Sequence, residues 1–254
     1  MKKIVAYIGS RKGKNSNTYK FTEAILNASQ SKDKDIDFEI VTANDFVIKP
    51  CIGCENCFLN GTCVLDKTDE AGKLKEKLLA ADMVIFSSPV YAHNVSGDMK
   101  VFIDRISYWL HNMKFNRKYA AVISTTDTNG QFTAISYLEK VMCFLGTKLV
   151  FKINCTMFDE DEFKNETWVK NKIKETSDKI VSALSSPIVS DGVLETVFQT
   201  LKTKYETMRE HHHIIDNFKE CVDIGLCTSK TYQDFLDNYY DHLRMAKGAK
   251  NEDF

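Results

Sequence analysis

The chain has 254 residues, of which 43% are hydrophobic and 27% are charged, with a formal net charge of −1. This composition indicates a globular protein with a large core. The near-zero net charge argues against binding to nucleic acid, and no apolar run is long enough to predict a membrane span.

The cysteine content and the first residues predict a cellular compartment. The apolar run at 4–8 is short and charges return at Arg11 and Lys12, which is not the pattern of a signal peptide. Eight cysteines in a chain without an export signal predict a reducing, cytoplasmic location. There, clustered cysteines serve metal or redox chemistry more often than disulfides.

Short apolar runs alternate with amphipathic segments over the first 186 residues. The apolar runs predict strands at 4–8, 37–41, 83–86, 119–123 and 149–153. Helical spacing of apolar residues predicts helices at 18–28, 68–80, 95–113 and 135–145, and a weaker one ending near Leu184.

This alternation predicts an α/β fold with a parallel sheet covered by helices on both faces. Five strand–helix units are typical of a flavodoxin-like sheet with strand order 2-1-3-4-5. In such sheets a ligand binds beyond the carboxyl ends of the strands. Polar residues follow three of the predicted strands, at Gly9–Ser10, Ser87–Pro89 and Ser124–Thr126.

The pattern changes at Ser185-Ser186-Pro187, after which only helical spacing remains. We therefore predict a flavodoxin-like domain at 1–186 and a helical extension at 187–254. The extension carries two apolar stripes, Leu194/Val197/Leu201/Tyr205 and Tyr232/Leu236/Tyr239/Leu243. Exposed stripes of this size are uncommon on monomers, which predicts at least a homodimer, with an intramolecular lid as the alternative.

The loop after the first strand is suited to a phosphate. The start of a helix offers unpaired N–H groups and a partial positive charge, and Ser10, Ser16, Asn17 and Thr18 add short polar side chains. The loop has neither a Walker A ending nor a Gly-x-Gly-x-x-Gly fingerprint. The alternative is a polar capping loop without a ligand.

The loops after the third and fourth strands are suited to a flat aromatic ring. Tyr91 offers a stacking surface, and donors for the ring edge come from Thr125, Thr126, Asn129 and Gly130. Each side chain has an ordinary loop role as its alternative, and for His93 we favour a solvated loop histidine.

Four cysteines, Cys51, Cys54, Cys57 and Cys63, have the spacing C-x2-C-x2-C-x5-C. Four thiolates are what a 4Fe–4S cluster requires, whereas structural zinc sites usually place a longer spacer between two knuckles. The alternative is a loop of free thiols.

Several of these segments resemble the NADPH-dependent FMN reductase family, and most of all its iron–sulfur flavoprotein branch. They are Gly-Ser-Arg…Asn-Ser-Asn-Thr, the cysteine motif, Ser-Pro-Val-Tyr and Ser-Gly-Asp-Met-Lys-Val-Phe-Ile-Asp-Arg. The resemblance implies an FMN phosphate at Ser10, Arg11, Ser16, Asn17 and Thr18. It places the ring near Pro89, Val90, Tyr91, Thr125, Thr126 and Gly130. It also implies a homodimer. We interpret Lys100 and Arg105, in the helix after the Ser-Pro-Val-Tyr loop, as structural, with Arg105 paired to a carboxylate near the subunit contact.

Two functions remain open at this stage. In the first, NAD(P)H passes hydride to flavin N5, and the reduced flavin then reduces a quinone, free flavin or another small acceptor. In the second, the protein is an electron carrier that takes electrons from a ferredoxin-like donor through the cysteine cluster. Neither needs a catalytic side chain. A weaker third hypothesis is a binding module that has lost flavin.

Overall fold

The computed structural model describes residues 1–156, 164–210 and 225–238. The strands are β1 (Lys2–Ile8), β2 (Ile36–Thr42), β3 (Met83–Tyr91), β4 (Asn94–Val95), β5 (Tyr119–Thr126) and β6 (Lys148–Thr156). The helices are α1 (Asn17–Lys32), α2 (Asn56–Asn60), α3 (Ala71–Leu79), α4 (Gly97–Arg105), α5 (Gln131–Phe144), α6 (Glu166–Leu184) and α7 (Gly192–Glu210). Residues 232–238 are also helical. Within these ranges no helix is long and apolar enough to cross a membrane.

The five long strands form a parallel sheet in the order β2-β1-β3-β5-β6. This confirms the predicted flavodoxin-like order of the long strands. The two-residue strand β4 was not predicted. It pairs antiparallel with the end of β3, so the sheet of the described residues has six strands rather than five.

The long helix predicted over 95–113 is shorter in the structure. The α-helix α4 ends at Arg105, and Ser107–His111 form a 3₁₀ helix instead. Because 3₁₀ residues also repeat every third position, Ile106 and Trp109 stay buried although the α-helix has ended. The helix predicted over 68–80 likewise begins later, at Ala71, and its Leu79 is exposed.

The core has two layers, one on each face of the sheet. Ile4 and Ala6 of β1 point into the layer under α1 and α6, while Val5 and Tyr7 point into the layer under α3, α4 and α5. This alternation is the two-residue period of a strand, and it explains why a continuous apolar run predicts a doubly covered strand.

The helical extension packs onto the sheet domain of its own chain. On α7, the first predicted stripe is buried in the same core as Ile4, and Tyr232 and Leu236 of the second stripe join it. The Tyr232 hydroxyl donates to Gly146 O at 2.7 Å. The described residues of the two stripes are therefore covered without a partner chain, and the homodimer remains a prediction of the family resemblance. Tyr239 and Leu243 lie outside the described residues, as do His211–His213.

Candidate functional site

A cleft lies at the carboxyl ends of β1, β3 and β5, where a doubly wound sheet binds ligands. It contains about 500 Å³ of empty space and is open to solvent on one side. Its lining residues are Ser10, Lys12, Asn15, Ser16, Asn17, Thr18, Pro89, Val90, Tyr91, Thr125, Thr126 and Asp127.

The loop between β1 and α1 forms one end of the cleft. Ser16 caps α1, since its Oγ accepts from Tyr19 N at 3.1 Å and donates to Gly13 O at 2.9 Å. The hydroxyl of Ser16 is thus used by the loop itself. The cap uses the N–H of Tyr19, which leaves the N–H groups of Asn17 and Thr18 at the start of α1 for an anion.

Ser10 tests whether this loop fits a phosphate. Its side chain is 1% exposed and lines the cleft, yet its Oγ has no hydrogen-bond partner among the described residues. A buried hydroxyl without a partner is unfavourable, so its partner is expected from a ligand. A phosphate oxygen at the start of α1 supplies that acceptor, and the residues present therefore fit the FMN phosphate.

The phosphate end is tied to the rest of the cleft by hydroxyl contacts and close packing. Thr18 Oγ1 and Thr125 Oγ1 are 2.6 Å apart and join α1 to the end of β5. Gly9 lies against α4, and a Cβ at this position would be 2.6 Å from Met99 Cβ. The turn after β1 therefore requires glycine because α4 packs too closely for any side chain.

The other end of the cleft is built by the hairpin of β3 and β4. Its two turn residues, Ala92 and His93, have φ of +48° and +60°, the geometry of a type I′ turn. Gly130, with φ of +83°, packs against this turn, and a Cβ there would be 2.8 Å from His93 Cα. Tyr91 is 52% exposed beside the turn, which leaves its ring free to cover a flat ligand.

Most of the residues predicted to bind FMN line this cleft, but three do not. Arg11 is turned away and forms an ion pair with Asp98, with Nη2 and Oδ1 2.8 Å apart. Asn129 and Gly130 shape the loop from behind, and Asn129 O accepts from Thr126 Oγ1 at 2.7 Å. The lining residues missing from the prediction are Lys12, Asn15 and Asp127. These three residues lie in the same loops as the predicted ones, and that position was the sequence signal by which they could have been found.

The four predicted cysteine ligands lie on the segment between β2 and α3. All four line one small pocket, together with Ile52, Phe58 and Leu65. Three residues with positive φ, Gly53, Glu55 and Gly61, bend the chain around it. Burial, together with the other three thiols, raises the pKa of Cys57.

The four thiols match the ligands of a 4Fe–4S cluster in number and kind. Among the described residues, no three side chains of Cys, His, Asp or Glu are arranged to hold one metal ion. A mononuclear site needs all its sulfur ligands about 2.3 Å from one point, whereas a 4Fe–4S cluster takes one thiolate at each of four iron atoms. Four cysteines around a common pocket meet the second requirement.

Arg105 of α4 lies under the cysteine segment and is fully buried. Its guanidinium contacts Asp66 and Asp69 and donates to Lys49 O at 2.9 Å. Burial works against the charged form, but Asp69 and the neighbouring Cys63 outweigh it and raise the pKa of Arg105. The predicted structural role of Arg105 therefore has its partners within the chain.

A doubly wound parallel sheet with an anion cradle and an aromatic wall at its switch point defines a flavodoxin-like protein. Residues 2–157 match the family model described as NADPH-dependent FMN reductase, and the chain belongs to this family. The predicted family is thus confirmed, and with it a flavin-dependent oxidoreductase.

Relatives also confirm the resemblance to iron–sulfur flavoproteins. One from Clostridioides difficile is 23% identical over 224 residues, which is 85% of this chain and 98% of the relative. Another from Archaeoglobus fulgidus is 34% identical over 121 residues, 48% of this chain and 53% of the relative. The solved FMN-dependent NADH-azoreductase of Bacillus anthracis, in complex with FMN, has a TM-score of 0.55 at 15% identity, over 73% of this chain and all of that one. At that identity the likeness supports the fold alone.

Proposed function

We propose that this protein is an FMN-dependent oxidoreductase that takes electrons from NAD(P)H and passes them to a small acceptor, such as a quinone or free flavin. The observation that carries the proposal is the buried Ser10 hydroxyl, which lines the cleft without a partner. The family supports the same cofactor. When bound, FMN supplies a ring that exchanges either a hydride or single electrons.

The residues of the chain would bind and orient FMN. Ser10, Lys12 and the first N–H groups of α1 would hold the phosphate at one end of the cleft. At the other end, Thr125 and Thr126 line the cleft and would lie beside the edge of the ring. The half-exposed side chain of Tyr91 would cover one face of the ring, and the open side of the cleft leaves access for a second planar molecule.

Two measurements test this proposal. Heat release of the bound flavin followed by chromatography should yield FMN, because the cleft has one phosphate cradle and no second nucleotide fingerprint. Recovery of mainly FAD contradicts the cofactor assignment. Anaerobic mixing of the FMN-loaded protein with NADH or NADPH should bleach the flavin absorbance, and a flavin that neither nucleotide bleaches excludes the proposed donor.

A second candidate function is an electron carrier with a 4Fe–4S cluster beside FMN, fed by a ferredoxin-like donor. The specific observation in its favour is that Cys51, Cys54, Cys57 and Cys63 line one pocket. Iron and sulfide analysis after anaerobic reconstitution should then give about four of each per chain. Less than one iron per chain leaves the free-thiol alternative.

We also propose that the chain assembles as a homodimer. Support comes from the family resemblance alone, since the described residues of the two apolar stripes are buried within the chain. Light scattering on the FMN-loaded protein should give twice the mass of the 29.0 kDa chain. A mass equal to one chain rules the dimer out.

A further inference from the structure

The segment that carries the four cysteines is closed at both ends by one side chain. At its start, Arg105 Nη1 donates to Lys49 O at 2.9 Å. At its end, Nη2 donates to Asp66 Oδ1 at 2.6 Å, and Nη1 contacts Asp69. Asp69 Oδ2 also accepts from Lys49 N at 3.0 Å. Residues 49 and 69 are therefore joined directly and through the guanidinium.

Among the side chains, only arginine has all the properties that this closure of the loop requires. The side chains of Arg105 and Asp69 are both 0% exposed, and a buried charge persists only when it is paired and hydrogen-bonded. The two terminal nitrogens of the planar guanidinium group reach three acceptors, on Lys49, Asp66 and Asp69. A lysine at this position would keep the charge but would present a single nitrogen.

One donor of the same guanidinium is left over. Arg105 Nε is buried and has no hydrogen-bond partner among the described residues. Cys63 is close to the guanidinium, because Cys63 O accepts from Asp66 N at 3.1 Å and Asp66 is itself bound by Nη2. Since the closure of the loop is complete with Nη1 and Nη2, the spare N–H is available for an acceptor in the cysteine pocket.

We propose that Arg105 is the positioning residue of the cysteine pocket: it closes the loop, and its spare N–H donates to sulfur at Cys63 when a 4Fe–4S cluster is bound. Hydrogen bonds to cluster sulfurs stabilise the more electron-rich, reduced state and so raise the reduction potential. The inference rests on the proposed cluster, because Cys63 must be one of its ligands.

The first test measures iron content and cluster midpoint potential in variants of the full chain. Arg105→Lys should lower iron affinity about tenfold and shift the potential to more negative values. Arg105→Gln should do both more strongly, and if it does not fold, Arg105→Lys carries the test. Asp69→Asn should lower iron content with a smaller shift in potential, because the guanidinium stays in place.

Lys73→Gln is the matched control for charge, since Lys73 is 68% exposed and pairs with Glu70 on the surface of α3. It should leave both readouts unchanged. A potential in Arg105→Lys and Arg105→Gln that equals the wild-type value overturns the hydrogen bond to sulfur, because a purely structural role would alter iron content alone.

The second test uses the chain without iron and separates this inference from the proposed cluster. Trypsin cleavage after the exposed Lys67 reports on whether the loop is closed. Cleavage should be faster in Arg105→Lys than in the wild type and Lys73→Gln, and equal rates overturn the closure. If the wild type binds no iron, the cluster proposal and the sulfur contact fail together, while the cleavage rates still decide the closure.

Discussion

Ser10 is a hydroxyl that the fold buries without a partner, so its removal should affect the ligand and not the protein. Ser10→Ala should raise the Kd for FMN about 10- to 100-fold, since a hydrogen bond to a charged acceptor is worth about 1.5–3 kcal/mol. Quenching of flavin fluorescence on titration measures the Kd. Ser31→Ala, at an exposed hydroxyl that donates to Asn27 O on α1, should leave it unchanged. Equal affinities would mean that the phosphate lies elsewhere.

Position 130 requires glycine for two reasons: its backbone φ is positive, and the hairpin packs closely against it. Gly130→Ala should lower the melting temperature by at least about 2–4 °C, because φ of +83° is strained for alanine and the new Cβ would press on His93 Cα. It should weaken FMN binding as well, since the turn shapes the cleft.

The matched control for this substitution is Gly97→Ala, at the first residue of α4, where a Cβ meets no atom within 4 Å. Thermal melts of both variants should separate them, with Gly97→Ala equal to or above the wild type. A Gly130→Ala protein as stable as Gly97→Ala would show that the turn adapts freely.

Local sequence predicted most residues of the cleft because the ends of parallel strands meet at one edge of a sheet. It did not predict the ion pair of the Arg11 side chain, for a physical reason. The partner of Arg11, Asp98, lies 87 positions further along the chain, and no local pattern reveals which carboxylate will meet a given arginine. The same limit applies to Arg105, whose partners follow the cysteines on a distant segment.

Among the elements, α7 depends on a charged cap. Asp191 Oδ1 accepts from Val193 N and Leu194 N, and Oδ2 binds Lys148 at 2.8 Å. Burial favours a higher pKa for Asp191, but these hydrogen bonds lower it below its ordinary value of 3.8. The carboxylate therefore stabilises the fold above that pH, and its contribution is lost as the pH falls through the folded-state pKa.

Asp191→Ala should lower the free energy of unfolding by about 1 kcal/mol at pH 7. The difference from wild type should shrink at pH 3, and urea denaturation at both values measures it. Asp178→Ala, which removes a surface pair with Lys32, should have the smaller effect at pH 7. An Asp191→Ala deficit of the same size at pH 3 would contradict the role of the charge.

Strands were easier to predict than the connections between them. A buried strand appears in the sequence as an apolar run whichever strands it pairs with. The hairpin between β3 and β4 depends instead on the backbone conformation of Ala92 and His93. These residues are not the glycine or asparagine that usually mark a type I′ turn. The end of α4 was hidden for a related reason, since apolar spacing continues into the 3₁₀ helix at Ser107–His111.

For the whole molecule, the extension and the sheet should behave as one unit of stability. Phe198 of α7 is fully buried, with ring centroids 5.8 Å from Tyr232 and 5.6 Å from Phe235. Phe198→Ala should cost about 3–5 kcal/mol. Val193→Ala, on the same helix at a side chain 56% exposed, should change the free energy of unfolding by less than about 0.5 kcal/mol.

Urea denaturation followed by flavin release should then show a single transition in both variants, at a lower urea concentration for Phe198→Ala. Flavin release that is unaffected by Phe198→Ala would mean that the extension unfolds independently of the sheet. A chain ending at Ser186 that folds and binds FMN would support the same conclusion and the predicted division into two domains.

Helix α4 touches both candidate sites with opposite ends. Its cap, Ser96, donates to Gly9 O beside the cleft, and its last residue, Arg105, holds the cysteine segment. Nine helical residues make a rod of about 13 Å. The distance between FMN and a cluster bound in the same subunit would then be set by the number of residues in α4 and not by the motion of a loop. An insertion of one residue in α4 would rotate one end by about 100° relative to the other, so natural variants of this helix should change in composition but not in length.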